Sequence, residues 1–375
     1  MTNRERNNAI LHYRPYDRMP AVHFGWWDEL LEKWAAEGHL SRDEITGVAD
    51  GNAKDKAIGD KLGFDYNYFS TFQPTNGMIA LFPAFEPKVV ASFPDGSTHV
   101  MDSEGAITLH KPRAGGIPSE IGHTLTDRAS WEKEYLPRLQ WDDRRVDDAK
   151  LREAAEQSAG RAEPLGVYLG SLFGQIRNWM GVVGISYLYE DDEDLYKEII
   201  AAAADIQYQM AAHILKSGAV FDFGHFWEDI AFRNGPLVSP RVFREVVGPH
   251  YKRLTDLCKG YGIDIVSLDC DGAPDALIPV WMENGVNTMF PIEVGVWGGS
   301  FAPWREKYGK EIRGVGGVNK HVFARDYAAI DAEIERLKPI VELGGYIPCP
   351  DHRLPPGAIW ENVQYYCDRI REISG

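Results

Sequence analysis

The stretch Ile263-Asp264-Ile265-Val266-Ser267-Leu268-Asp269-Cys270-Asp271-Gly272 begins as a β-branched, apolar run and ends in two acids around a thiol, followed by glycine. Alternation along a strand sends Asp269 and Asp271 to one face and Cys270 to the other. An apolar strand that ends in acids and runs into a glycine loop suits an α/β protein with its site at the carboxyl ends of parallel strands. The same acids also fit a solvated strand end or a helix cap.

Outward from this stretch the same rhythm recurs. Strand-like runs fall near 21, 65, 166, 220, 265, 288, 314 and 346, with helical patterns between nearly all of them. Acids over 190–194 open a helix over 190–217, and Ser239-Pro240 opens another reaching about 259. Eight β/α units without a Gly-x-Gly-x-x-Gly fingerprint predict a (β/α)8 TIM barrel rather than a doubly wound sheet. One segment breaks the rhythm. Residues 85–112 carry three short strand patterns around Pro94-Asp95-Gly96 and Ser103-Glu104-Gly105, and predict an antiparallel meander inserted on one end of the barrel. The expectation is one barrel domain spanning 1–375.

Composition narrows the function. The net charge is -16 over 375 residues, with a pI near 5.2, which argues against nucleic acid and anionic membrane surfaces as partners. The four cysteines, Cys258, Cys270, Cys349 and Cys367, are scattered and form no Cys-x-x-Cys pair, as expected of reduced thiols in a cytoplasm. The polar start, Met1-Thr2-Asn3-Arg4-Glu5-Arg6, has no secretory pattern behind it, and no run of apolar residues is long enough to span a bilayer.

A barrel gathers the residues after its strands into one mouth. Those residues include His23 with Trp26 and Trp27, Tyr168 and Phe173, His225 with Trp227, Glu228 and Asp229, Asp269 and Asp271, Glu293, Lys320, and Cys349 with Asp351 and His352. Each also has an ordinary alternative. His23 and His225 fit satisfied half-buried imidazoles, Glu228 a cap, Lys320 a surface ion pair, Cys349 an inert core thiol, and Asp351 a lock that orients His352. Asp271, Glu228, His225 and His352 are the candidates for proton transfer. His23, Trp26, Trp27, Tyr168, Phe173, Trp227 and Glu293 are the candidates for lining a substrate pocket.

In Asn3-Arg4-Glu5-Arg6 with Asp17-Arg18-Met19-Pro20, Gly285-Val286-Asn287 with Pro291-Ile292-Glu293, Lys307-Tyr308-Gly309, Gly316-Gly317-Val318-Asn319-Lys320, and Gly344-Gly345-Tyr346-Ile347-Pro348, the sequence resembles the uroporphyrinogen decarboxylase superfamily. The resemblance implies the same barrel and one of two chemistries. Decarboxylases of the superfamily carry an Arg-Gln-Ala-Gly-Arg-Tyr segment after the first strand, but here Phe24-Gly25-Trp26-Trp27-Asp28-Glu29 stands there without an arginine. A polyanionic tetrapyrrole would find no bidentate cation in it.

The other branch comprises corrinoid-dependent methyltransferases. Its thiol-methylating members hold Zn²⁺ with His-x-Cys after the fifth strand and a Cys after the eighth. Here the pair reads Asp269-x-Asp271 and only Cys349 matches, so the resemblance implies a zinc site of Asp269, Asp271 and Cys349, with His352 as a further ligand. Such an oxygen-rich site is poorly suited to activating a thiol. The expectation is therefore methyl transfer from a small donor, such as a methoxylated aromatic, to a corrinoid on a separate protein, since no Asp-x-His-x-x-Gly cobalamin motif is present. A decarboxylase or other lyase acting on a smaller carboxylate is the alternative. The resemblance further implies a homodimer.

Overall fold

The computed structural model describes residues 1–72, 80–112 and 118–373. In chain order the strands are β1 (Val22–His23), β2 (Tyr66–Asn67), β3 (Lys88–Ser92), β4 (Thr98–Met101), β5 (Ala106–His110), β6 (Ser119–His123), β7 (Gly166–Gly170), β8 (Phe223–Trp227), β9 (Ala231–Phe232), β10 (Gly235–Pro236), β11 (Val266–Asp269), β12 (Thr288–Phe290), β13 (Arg313–Val318) and β14 (Tyr346–Pro350). Six of them form a parallel sheet in the order β14-β13-β12-β11-β8-β7, and β1 pairs with β2, also in parallel. Beyond the ends of β1 and β14, Trp26 bridges Leu354 in parallel, and the Leu354 amide donates to the Gly25 carbonyl at 3.1 Å. At the other seam the 3-10 turn Phe69–Phe72 packs against β7. The architecture is the TIM-barrel-like one that the eightfold rhythm predicts.

The reason lies in which faces are buried. Strands β7, β11, β12 and β14 are buried at every residue, so they read as continuous apolar runs rather than alternating ones. The last helix, Trp360–Arg371, buries Trp360, Val363, Tyr366, Cys367 and Ile370, a spacing of three and four that keeps one stripe against the barrel. Helix Glu193–Leu215 begins where the Asp192 carboxylate accepts the Leu195 amide at 2.9 Å. Among the described residues no helix is long and apolar enough to cross a membrane.

Three features depart from the sequence expectation. Strand β8 starts at 223, later than the run from 219 suggests. Asp222 is an ion-pair node at the strand's foot, accepting from Arg4 at 2.8 Å, Asn8 at 3.0 Å and the Leu165 amide at 3.0 Å. The later start puts His225 inside the strand and moves Glu228 and Asp229 to its end. The inserted sheet has four strands, β3-β4-β5-β6, and extends to 123 rather than 112. Its last strand, Ser119-Glu120-Ile121-Gly122-His123, carries no alternation of its own and exists by pairing with β5. Finally, helix Gly174–Asp191 precedes the expected one. Its sequence holds two glycines past the first, at 181 and 184, and Gly181 breaks the helix with φ 76°.

Candidate active site

At the carboxyl end of the barrel Asp229, Asp269 and Asp271 converge, each offering an oxygen within 4.8 Å of the others. Asp269 is the last residue of β11 and Asp271 lies two positions on, so alternation sends both into the mouth while Cys270 is buried in the hydrophobic core. Asp229 arrives from β8 through a left-handed backbone conformation, φ 49°, unusual for a residue with a Cβ. That turn brings its Oδ1 to the Asp271 amide, which donates at 3.0 Å. Gly272 is tightly placed. With φ 93°, an added Cβ would stand 2.5 Å from the Ala231 carbonyl. Its amide donates to Glu293 Oε2 at 2.8 Å, and the Trp297 indole donates to the same oxygen.

Three acids this close cannot all be ionised. Burial first, then Asp229 and Glu293, push the Asp271 carboxyl up to about 8, against the pull of Lys320. Burial and the neighbouring Asp229 and Asp271 hold Asp269 well above the usual carboxylate range. Asp229 is raised by burial too, opposed by the Asp271 amide. Burial also raises Glu293. His352 Nε2 stands 3.7 Å from Asp271 Oδ2, and its ring stacks on Trp27 with centroids 5.7 Å apart. Burial lowers this imidazole to about 4, so it is neutral near pH 7, and its buried Nδ1 has no partner among the described residues. The cluster can thus store a proton at neutral pH beside a neutral imidazole.

Glu228 has a different task. It is fully buried, and its carboxylate accepts the amides of Leu172 at 2.8 Å, Phe173 at 2.9 Å and Gly174 at 2.6 Å, the Ser171 hydroxyl at 3.1 Å, and the Tyr251 hydroxyl. It caps helix Gly174–Asp191 from another strand. Asp351, also fully buried, accepts the amides of Val294 at 3.0 Å, Gly295 at 2.7 Å and Lys320 at 3.1 Å. Both acids position loops of the mouth.

The remaining sequence candidates divide. Trp27 and Trp227 are half-buried at the mouth. Trp26 is buried behind β1, where its indole donates to Asp55 at 2.8 Å, and His23 stacks on it at 4.2 Å with its Nδ1 accepting the Gly25 amide. Phe173 packs outside the barrel against Tyr196 and Phe243. These three are therefore placed in packing rather than at the mouth. His225 and Tyr168 face each other in register inside the barrel. His225 Nδ1 lies 2.6 Å from the Ser267 hydroxyl, and its buried Nε2 has no partner among the described residues. Burial drives it well below its ordinary value.

The zinc set implied by the resemblance is not assembled. Cys349 is fully buried in β14, its thiol raised far above its ordinary value by burial, and it lies outside the one converging group of potential ligands among the described residues. Asp229 takes its place. Three carboxylates form a hard donor set, suited to an oxygen-preferring divalent cation rather than to a zinc-held thiolate. Asp229 was legible only in part. Once β8 ends at Trp227, alternation sends Glu228 and Asp229 to opposite faces, but the strand end itself was masked by the apolar run before it.

No protein-family model matches the sequence, and no curated protein matches it. Among solved structures the chain is similar to a methyltransferase from Methanosarcina mazei, at 17% identity over 99% of both chains with a TM-score of 0.59. It is more distantly similar to a B12-independent methionine synthase from a Shewanella species, at 11% identity over 95% of this chain and 98% of that one, with a TM-score of 0.46. At 17% identity the likeness to the methyltransferase speaks for the fold.

Proposed function

We propose that the chain is a methyltransferase that moves a methyl group from a small donor, such as a methoxylated aromatic, to a corrinoid carried by a separate protein. The observation that carries the reading is Asp271, a carboxyl at the barrel mouth that keeps its proton up to about pH 8. Cleaving a methyl ether leaves an alkoxide or phenoxide, a poor leaving group until it takes a proton. The resemblance to the uroporphyrinogen decarboxylase superfamily and the shared fold with a methyltransferase support the same reading.

In this scheme the O–CH₃ bond breaks as Asp271 gives its proton to the departing oxygen. A bound corrinoid supplies the acceptor for the methyl group. Burial, with Asp229 and Glu293 nearby, keeps the proton on Asp271 before the reaction. Glu293 fixes the Asp271–Gly272 turn through the Gly272 amide. His352, neutral and beside Asp271, is placed to pass a proton back from solvent. Trp27 and Trp227 flank the donor's apolar body.

The test is direct. The purified chain is mixed with reduced corrinoid protein and a panel of methoxyaromatics, and methylation is followed by corrinoid absorbance. Methylation that depends on the chain supports the reading. Carbon dioxide release from a carboxylate panel with no change at the corrinoid would replace it with the lyase alternative.

A further inference from the structure

The mouth is rich in acids, yet a cation stands at its rim. Arg177 lies in the first turn of helix Gly174–Asp191, which Glu228 fixes beside the mouth. Its guanidinium lies over the Trp227 ring, 5.9 Å from the centroid. Among the described residues it makes no hydrogen bond and no ion pair, and its Nε is buried without a partner. Arg353, by contrast, is held by Asp50 at 2.5 and 3.2 Å.

The guanidinium stands close enough to Asp229 and Glu104 to oppose the effect of burial on both. Glu104 comes from the turn between β4 and β5 and accepts from Asn178 at 3.4 Å. That turn is a fixed wall. Asp102 Oδ1 accepts the amides of Glu104 at 2.9 Å and Ala106 at 3.0 Å, and the Tyr135 hydroxyl donates to the Glu104 carbonyl at 3.1 Å. Both acids are engaged elsewhere, Glu104 by Asn178 and Asp229 by the Asp271 amide. A half-buried guanidinium with open donors is unfavourable until an anion meets it. Its planar fork matches a carboxylate, and the indole beneath offers a face for a ring.

The geometry points to Arg177 as the anchor for a carboxylate on the methyl donor, with the donor's ring on Trp227 and its ether towards Asp271. The placing of the ether rests on the methyl-transfer reading, whereas the anion site stands on Arg177 and Trp227 alone.

Calorimetric titration of the full chain with 4-methoxybenzoate and with uncharged 4-methoxybenzamide tests it. The carboxylate is expected to bind roughly 10- to 100-fold more tightly, the range for a charge-assisted pair. Arg177→Gln levels the two. Arg177→Lys retains part of the preference, since an ammonium keeps the charge without the fork. Equal affinities in the wild type, binding of neither compound, or a preference that survives in folded Arg177→Gln overturns the proposal. The wild-type comparison decides even where a variant fails to fold. Methyl transfer from donors with no charge preference would sink Arg177 and keep the transfer reading. A charge preference without methyl transfer would do the reverse.

Discussion

Glu228 and Asp229 are adjacent in the chain and both are carboxylates, yet they belong to different regions of the molecule. Glu228 faces the helix side, where three amides and two hydroxyls converge on it. Asp229 faces the mouth, where its companions are two more acids, and it receives one amide and the Trp227 indole. Burial raises both. What separates them is the supply of donors. Amides aimed at Glu228 compensate the loss of water and make it structural, while the mouth acids are short of donors and must share protons. Asp351 belongs with Glu228 by the same measure.

Breaking the saturated region gives the largest expected effect. Glu228→Ala strands three amides, a serine and a tyrosine in the interior, and the expected loss is about 3–5 kcal/mol of stability, as for other buried charges deprived of a partner. Denaturant unfolding measures it. Glu228→Gln, which keeps acceptor oxygen, should recover part of the loss. A variant as stable as wild type would erase the distinction between the two regions.

The mouth should answer in the opposite way. Asp271→Asn removes the transferable proton and is expected to slow methyl transfer by roughly 10²- to 10⁴-fold. It also removes a like-charge conflict, so the melting temperature should hold or rise. A drop in stability comparable with that of Glu228→Ala would make Asp271 a lock instead.

The pH dependence sharpens the same contrast. Asp271 binds its proton more tightly folded than unfolded, with a folded value of about 8 against an ordinary 3.8. Between those values the folded state carries the extra proton, so stability is greatest at the acid end and falls as pH rises through 8. The slope should lie well below the ~1.4 kcal/mol per pH unit of a fully buried proton, because 36% of the Asp271 side chain is exposed. Melting temperatures of wild type and Asp271→Asn from pH 5 to 9 should converge at the acid end and separate at the alkaline end. Methyl transfer should decline over the same alkaline range.

The sequence made the barrel legible because its buried strands announce themselves by apolar runs and its helices by their stripes. The carboxyl-terminal acids of β11 were legible for the same reason, since alternation alone sends Asp269 and Asp271 together. Helix Gly174–Asp191 was hidden because its cap is Glu228, more than fifty residues away, and local capping signals are what a sequence displays. Arg177 was hidden with it. Asp229 needed the end of β8, which depends on the ion pairs that pin Asp222. Trp26 and Phe173 misled because a residue just past a strand turns outward as readily as inward, and only packing against Asp55 or Tyr196 decides which.

Cys349 gives the smallest expected effect and the cleanest separation between the implied zinc site and the observed cluster. Its thiol is sealed in β14, held in its neutral form by burial and by Asp351, and lies outside the converging acids. As a small core side chain, its replacement in Cys349→Ala should cost about 1 kcal/mol. Methyl transfer and the content of any divalent metal that copurifies, read by elemental analysis, should both stay at wild-type levels. Asp271→Ala should lower that metal content if the carboxylates hold any. Stoichiometric zinc that vanishes in Cys349→Ala would instead place the thiol among the ligands and require the β14 end to move towards Asp269 and Asp271.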